Sequence, residues 1–208
     1  IDYYLVNSYD SEIIYENIIK DCITQYGESN VLVIAPSVRD KTPFKKLINH
    51  MCLKTKYATY ISSNDEAIVD RNVLEGKLVF LTYHQAKGLE RECVIVYGVD
   101  HSYNVYYNRN KTPAELEKCP NAIYVALTRA KQKLIMLHDY SHEFLQFLKT
   151  SRLVNYTKIY CLFRYGNQDE KPVYKHIYCN DIDGLGLSFD IERYCGYIPK
   201  KGDMINRL

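Results

Sequence analysis

Five short apolar runs, each shorter than an ordinary buried helix, most constrain how this chain can fold. They are VLVIA at 31–35, YATYI at 57–61, KLVFLT at 77–82, CVIVYG at 93–98 and KLIMLHD at 133–139. Runs of this length are typical of strands that are covered on both faces of a sheet. Segments with apolar residues at helical spacing lie between them. This alternation predicts an α/β domain with a largely parallel sheet flanked by helices.

Capping residues mark where the predicted helices begin. Thr42 precedes Pro43 as an N-cap with proline at the first helical position, and TPAE at 112–115 reads as a capping box. The segment NAIYVALTRAK at 121–131 predicts a further helix, on which Arg129 would lie.

The pattern of apolar and polar residues changes near residue 151. After it, TKIYCLFRY and PVYKHIYC look like antiparallel strands. The predicted domains are therefore a main α/β domain over 1–151 and a small β-rich C-terminal appendage over 152–208.

The amino-acid composition indicates the general class of protein but says little about its function. The chain has 47% hydrophobic and 25% charged residues, which is ordinary for a globular protein. Its longest apolar runs, such as those at 31–36 and 134–137, are too short to span a bilayer, so no membrane partner is expected. A net charge of +2 does not by itself indicate a nucleic-acid partner.

Seven scattered cysteines without a C-x-x-C pair favour a reducing compartment, and so an intracellular location in the cytoplasm or nucleus. A zinc site formed by His176 with Cys179 and Cys195 is an alternative for two of these cysteines, but its spacing fits no common zinc pattern.

The segment FLTYHQAKGLERECVIV carries more polar chemistry than a turn between two strands requires. Thr82 and His84 offer hydrogen-bonding groups that suit a phosphate or a base edge, and Lys87 supplies positive charge near phosphates. Gly88 allows a backbone or ligand to approach closely, and Glu90 can accept the two hydroxyl hydrogens of a ribose. A polar turn explains any one of these residues, but it explains the ordered set poorly.

Arg129 is the second candidate, because it is an always-charged residue among small and apolar neighbours in NAIYVALTRAKQKLIML. A guanidinium is suited to stabilising charge that is spread over transferring phosphoryl oxygens. A structural salt bridge to a carboxylate at the sheet edge is the alternative.

Two of these segments resemble motifs of a known family. TYHQAKGLE resembles motif V, and YVALTRAK resembles motif VI, of UvrD/Rep-type superfamily 1 helicases. They occur in the family's order, about forty residues apart, each followed by an apolar strand. NVLVIAPS at 30–37 stands where motif IV would be, so the resemblance covers roughly 30–150. In texture the motifs look closest to UvrD-like proteins of large DNA viruses, which would act in a host cell, and of protists.

The resemblance implies that residues 1–151 form the second RecA-like motor domain, with the parallel sheet of P-loop NTPases. In the family, ATP with Mg²⁺ lies between two such domains, and the residue matching Arg129 is catalytic because it reaches the γ-phosphate. The residues implied at the nucleotide are Gly88, Glu90, Arg129 and, as a substitute for an arginine that the family carries after motif IV, Arg39. The residues implied at the DNA single strand are Thr82, His84 and Lys87.

No segment matches G-x-x-x-x-G-K-[ST], so this chain would supply only half of an active site. With its first residue Ile rather than Met, we expect a C-terminal part of a longer helicase. The N-terminal RecA-like domain of the same helicase would then be its partner and would bind most of the ATP and Mg²⁺. A catalytically inactive, helicase-derived DNA-binding or scaffold module is the alternative.

Overall fold

The structure, a computed structural model, describes residues 1–6, 11–139, 141–165 and 173–178. Within these residues one eight-stranded sheet runs through the molecule in the order β3-β4-β2-β5-β6-β1-β7-β8. The strands are β1 (Asp2–Val6), β2 (Val31–Ala35), β3 (Thr59–Ile61), β4 (Leu78–Thr82), β5 (Arg91–Tyr97), β6 (Ala130–Asp139), β7 (Lys158–Tyr165) and β8 (Val173–Tyr178).

The first seven strands pair in parallel, which confirms the parallel α/β sheet flanked by helices. Each of the five apolar runs contributes most of its residues to a strand. β1, which lies between β6 and β7, was not predicted. Its partners are more than 130 residues away, as in the pairing of Asp2 with Ile135 and Lys158.

The structure describes six α-helices, and those that start at Pro43 and Pro113 begin where the capping residues predict. The six helices are α1 (Ser11–Tyr26), α2 (Pro43–Lys54), α3 (Ser102–Tyr107), α4 (Pro113–Leu116), α5 (Asn121–Leu127) and α6 (Thr150–Tyr156). Thr42 Oγ1 accepts a hydrogen bond from Lys45 N at 3.2 Å, and Thr112 and Glu115 form the capping box. Among the described residues, no helix has the length and apolar character needed to cross a membrane.

The sheet separates two hydrophobic clusters. On one face, α1 and α2 cover side chains such as Val33 and Phe80. On the other face, α5 and a short 3-10 helix at Arg71–Leu74 cover side chains such as Ile34 and Leu81. Since β2 and β4 are buried on both faces, their uninterrupted apolar sequences follow from their place in the middle of the sheet.

The C-terminal strands extend this same sheet. β7 pairs in parallel with β1, and β8 then pairs antiparallel with β7, as the sequence predicts for these two segments. Helix α6 precedes β7 and was not predicted. The boundary at 151/152 stays a prediction, and so does the zinc alternative, because Cys179 and Cys195 lie outside the described residues.

Candidate functional site

The predicted site residues lie at two opposite edges of the parallel sheet. Thr82 is the last residue of β4, so His84 follows the carboxyl end of that strand. Glu90 and Arg129 directly precede β5 and β6, and so lie at the amino ends of those strands. A five-residue strand rises roughly 15 Å, which separates the two edges. Ligands of parallel sheets usually bind at the carboxyl ends of the strands, but Glu90 and Arg129 lie at the opposite edge, because a chain linking parallel strands must return across the sheet.

Thr82 is fully buried, and its polar groups are used inside the protein. Its backbone N–H and its hydroxyl both donate to Gln85 Oε1, at 3.1 Å each. In this structure the hydroxyl of Thr82 thus shapes the turn that carries His84. The predicted contact of Thr82 with a nucleic acid stays a prediction.

Gln85 connects this turn to a second loop. Its Nε2 lies 2.7 Å from Ser62 Oγ, 2.9 Å from Asn64 O and 2.9 Å from Ala67 O. One side-chain amide therefore joins the end of β4 to residues 62–67, the loop after β3. Sequence reasoning passed over Gln85, because nothing in the local sequence indicates partners 18 to 23 residues away.

The carboxyl edge also carries Arg39, which follows β2. Its Nε lies 2.9 Å from Asp65 Oδ2, and Asp65 further accepts from Ser37 Oγ and Val38 N. Arg39 and Lys87 both line a cavity of about 610 Å³ that His84 also borders. The structure thus brings together three of the predicted residues from two loops. It places Arg39 near His84 and Lys87, which were predicted to contact DNA, rather than near Arg129.

Gly88 occupies a position that only glycine adopts readily. Its φ is +77°, in the left-handed region, and a Cβ built there would lie 2.5 Å from Arg71 Nη2. The close approach that the sequence suggested is therefore made by the Arg71 side chain, which lines the same 610 Å³ cavity.

Glu90 and Arg129 become neighbours at the amino edge. Arg91 N donates to Arg129 O at 3.2 Å, and Arg91 pairs with Ala130 in the sheet. This bond joins Arg91, the residue directly after the motif TYHQAKGLE, to Arg129 of the motif YVALTRAK. Arg129 does not lie on a helix as predicted, because α5 ends at Leu127 and a turn leads into β6.

The Arg129 side chain folds back on that turn. Its Nε donates to Val125 O at 2.9 Å, and its Nη2 donates to Thr128 Oγ1 at 3.0 Å. No carboxylate among the described residues forms an ion pair with it, so the salt-bridge alternative finds no partner there. A half-exposed guanidinium that bonds only neutral groups can exchange them for an anion at low cost.

A buried polar pair, Tyr3 and His138, lies near the carboxyl ends of β5 and β6. The Tyr3 hydroxyl lies 2.6 Å from His138 Nδ1 and 3.2 Å from Val99 O, and His138 Nε2 lies 2.8 Å from His142 O. Since a carbonyl only accepts, Nε2 carries the proton and Nδ1 accepts from Tyr3. Burial lowers the pKa of His138, against the opposing charge of Asp100, and so keeps the ring neutral.

Comparison with known proteins bears on this geometry. Residues 56–140, which hold both candidate motifs, match the model of the UvrD-like helicase C-terminal domain. Residues 56–140 are therefore similar to a UvrD-like helicase C-terminal domain. The predicted resemblance is confirmed at this level, and the match takes in β4, β5, α5 and β6.

Two curated relatives come from bacteria. Over 82 residues the chain is 38% identical to the "Probable DNA helicase II homolog" of Mycoplasma capricolum, covering 38% of this chain and 11% of that protein. Over 58 residues it is 48% identical to the Gabija protein GajB of Bacillus cereus, covering 28% of this chain and 10% of that protein. The chain thus spans about a tenth of the length of these relatives. Neither supports the predicted closeness to viral and protist proteins.

A solved structure, the C-terminal domain of a possible DNA helicase from Lactobacillus plantarum WCFS1, aligns with 70% of this chain and 77% of its own, at 13% identity and a TM-score of 0.44.

Proposed function

We propose that this chain is the C-terminal motor domain of an ATP-dependent superfamily 1 DNA helicase, supplying an arginine finger and part of the single-strand groove. The observation that carries this proposal is the hydrogen bond from Arg91 N to Arg129 O. It brings the ends of the two helicase-like motifs, with Glu90 and Arg129, to one edge of the sheet. The residues that suit contact with single-stranded DNA lie at the opposite edge of the sheet.

At the amino edge, Arg129 is the group proposed to meet the γ-phosphate of ATP. Its present partners are one carbonyl and one hydroxyl, both neutral. Bonds from a guanidinium to phosphate oxygens are charge-assisted and stronger, so the side chain would leave the turn when nucleotide arrives. Glu90 is exposed beside it, and its carboxylate can accept hydrogen bonds from ribose hydroxyls.

At the carboxyl edge, His84 and Lys87 are the groups proposed to meet single-stranded DNA. Both are exposed, and both line the cavity that Arg39 and Arg71 share. A positively charged groove of this kind suits the phosphate backbone of a strand. Asp65 and Glu66 lie on the same wall, and Asp65 is paired with Arg39.

The β- and γ-phosphates also need a cradle and a magnesium site, which the sequence motifs of this chain do not provide. ATP with Mg²⁺ would therefore be bound mainly by the N-terminal RecA-like domain of the same helicase. Arg129 would add positive charge to that site when the two domains close. The DNA-binding or scaffold module without catalysis remains the competing proposal. The availability of Arg129 argues against it, since such a module has no use for a guanidinium held ready at the amino edge.

The test is DNA-stimulated ATP turnover by the full-length helicase carrying Arg129→Ala or Arg129→Lys. Lysine keeps the charge but loses the planar fork, so both variants should lower turnover by roughly a thousandfold or more. The lost bonds to Val125 and Thr128 are local and partly exposed, so unfolding should shift by less than about 1 kcal/mol. Arg152→Ala, at an exposed arginine of α6, is the matched control and should retain wild-type turnover.

Two outcomes would contradict the proposal. The 208-residue chain alone should hydrolyse no ATP, and robust turnover by it would overturn the division of the active site. Equally, an Arg129→Ala helicase with normal turnover per folded molecule would end the arginine-finger assignment and favour the scaffold module.

A further inference from the structure

A second cavity, of about 440 Å³, opens at the carboxyl edge between the loops that follow β2 and β5. These two strands are neighbours in the sheet. The chain continues from β2 into α2, which packs on one face, and from β5 through α3 and α4 into α5, which packs on the other. Ligands of open α/β sheets bind in the crevice where neighbouring strands send their connections to opposite faces. The volume is also that of an ordinary small-molecule site.

Aromatic side chains form much of the lining of this cavity. Tyr97, at the end of β5, packs against Tyr15 of α1 and Phe44 of α2, with ring centroids 5.2 and 5.3 Å away. Tyr106 and Tyr107 of α3 line the same cavity and are exposed. Aromatic rings offer an apolar surface and attract cations over their faces.

The carboxylates of Asp100 and Asp139 also line the cavity. Asp100 is 1% exposed and accepts hydrogen bonds from Ser102 N at 3.0 Å and from Asp139 N at 3.2 Å. Asp139 Oδ1 accepts from Ser141 N at 2.9 Å and from its hydroxyl at 2.8 Å, and no described residue donates to Oδ2. Neither carboxylate forms an ion pair within the described part of the chain. Since a carboxylate withdrawn from water lacks solvation, an entering cation is favoured.

The basic residues of the cavity do not offset these two carboxylates. Arg39, Lys41 and His142 line it, and all three are exposed to solvent. Arg39 Nε is paired with Asp65 Oδ2 at 2.9 Å. Lys41 directly follows Asp40, which is exposed and lines the cavity as well, so the charges of these two neighbours oppose each other.

The start of α2 borders the cavity but is poorly suited to a phosphate. Helix N-termini bind phosphates through free backbone N–H groups, usually after a glycine-rich loop. Here Pro43 has no N–H, and Lys45 N already donates to Thr42 Oγ1 at 3.2 Å. The loop at 36–42 contains no glycine. The lining therefore favours a cation over an anion.

We propose that this cavity binds a small organic cation, with a primary ammonium or guanidinium group on an apolar body. The charged group lies against Asp139 Oδ2 and the carboxylate of Asp100, and the apolar body packs on the rings of Tyr97 and Tyr107. The site lies outside both helicase-like motifs, and it does not depend on the function proposed above.

The experiment is a ligand-observed NMR titration of the full-length protein at pH 7 with three probes of similar size and different charge. They are phenethylamine, which is a cation, phenethyl alcohol, which is neutral, and phenylacetate, which is an anion. Phenethylamine should bind at least about tenfold more tightly than the alcohol, the scale of one hydrogen bond to a charged group. Phenylacetate should bind most weakly of the three. Equal binding of all three probes, or tightest binding of phenylacetate, would overturn the selection of a cation, and so would a wild-type protein that binds no phenethylamine.

Asp139→Asn tests whether the amine binds in this cavity. Asparagine keeps the size of the side chain and an acceptor for Ser141, so the turn after β6 should be retained. The affinity for phenethylamine should fall by about tenfold, and the affinity for the alcohol should stay unchanged. Asp21→Asn, at an exposed aspartate of α1 outside the cavity, is the matched control and should bind as wild type. Unchanged amine binding by a folded Asp139→Asn protein would place the amine elsewhere and end the assignment.

Discussion

Replacing Gln85 by leucine tests whether one amide holds the carboxyl edge in the arrangement described. The substitution keeps the approximate volume of the side chain and removes every hydrogen bond it makes. Thr82 N–H and its hydroxyl would lose their acceptor while remaining buried, and Ser62, also buried, would lose a donor.

The expected cost follows from these contacts. A buried polar group left without its partner costs about 1–3 kcal/mol, and the bonds to Asn64 O and Ala67 O are partly exposed and contribute less. Gln85→Leu should therefore lower the free energy of unfolding by about 2–4 kcal/mol. For a chain of this length, that corresponds to a fall in Tm of roughly 4–16 °C.

A second variant separates the two halves of the amide. Gln85→Glu keeps an acceptor for Thr82 but replaces the donor with an oxygen that faces Ser62, Asn64 and Ala67. Those neighbours disfavour a charged carboxylate, so the pKa of the new side chain should rise on folding. Its destabilisation should then be largest above the unfolded pKa and the folded pKa, and should lessen as pH falls through them. Gln85→Leu should show no such relief.

The assay is chemical denaturation of both variants at pH 7.5 and pH 5.0, with Gln25→Leu as the matched control at an exposed position on α1. The control should change the free energy of unfolding by less than about 0.5 kcal/mol. If Gln85→Leu changes the free energy of unfolding as little as the control does, the amide does not hold the turn. The positions of His84 and Lys87 would then depend on the surrounding packing alone.

Two further predictions concern pH and salt. Because folding keeps His138 neutral, the free energy of unfolding should fall as pH drops through about 6.5, the ordinary pKa of histidine, toward the lower pKa of the folded state. In urea denaturation, His138→Gln should reduce the dependence of the free energy of unfolding on pH in this range. An unchanged dependence would mean that other groups cause it. Single-strand affinity of the 208-residue chain alone should be weak and should decline with salt at a logarithmic slope of about −2, for some three phosphate contacts. Tight, salt-insensitive binding in an anisotropy titration would contradict the small number of contacts.

The elements that the sequence predicted correctly are those whose signals are local. The strand β2 is recognisable because its five consecutive apolar residues, all of them buried, form a pattern that can be read without knowing which strands pair with it. Thr42 and Glu115 were correct for the same reason, since a capping bond closes within three residues. The candidate motifs too were recognisable from contiguous residues.

The features that the sequence did not reveal depend on contacts between distant segments. β1 has an ordinary strand composition, but its central place follows from pairing with β6 and β7. Arg129 was assigned to a helix because helix-forming residues continue to Lys131, whereas the sheet requires β6 to begin at Ala130 for its register with Arg91. The role of Gln85 depends on a loop that is 18 or more residues earlier in the chain.

The segment from Tyr83 to Glu90 explains why one motif can serve both edges of the sheet. β4 and β5 run parallel with β2 between them, so the chain must cross from the carboxyl edge to the amino edge. Such crossings usually take a helix and a dozen or more residues. Here eight residues suffice, even though residues 83–88 form successive turns, because a fully extended chain of that length would reach well over 20 Å and the crossing needs roughly 15 Å. Ala86 is buried against the sheet midway. The crossing is thus a short, anchored spacer, which sets the separation between His84 at one edge and Glu90 at the other.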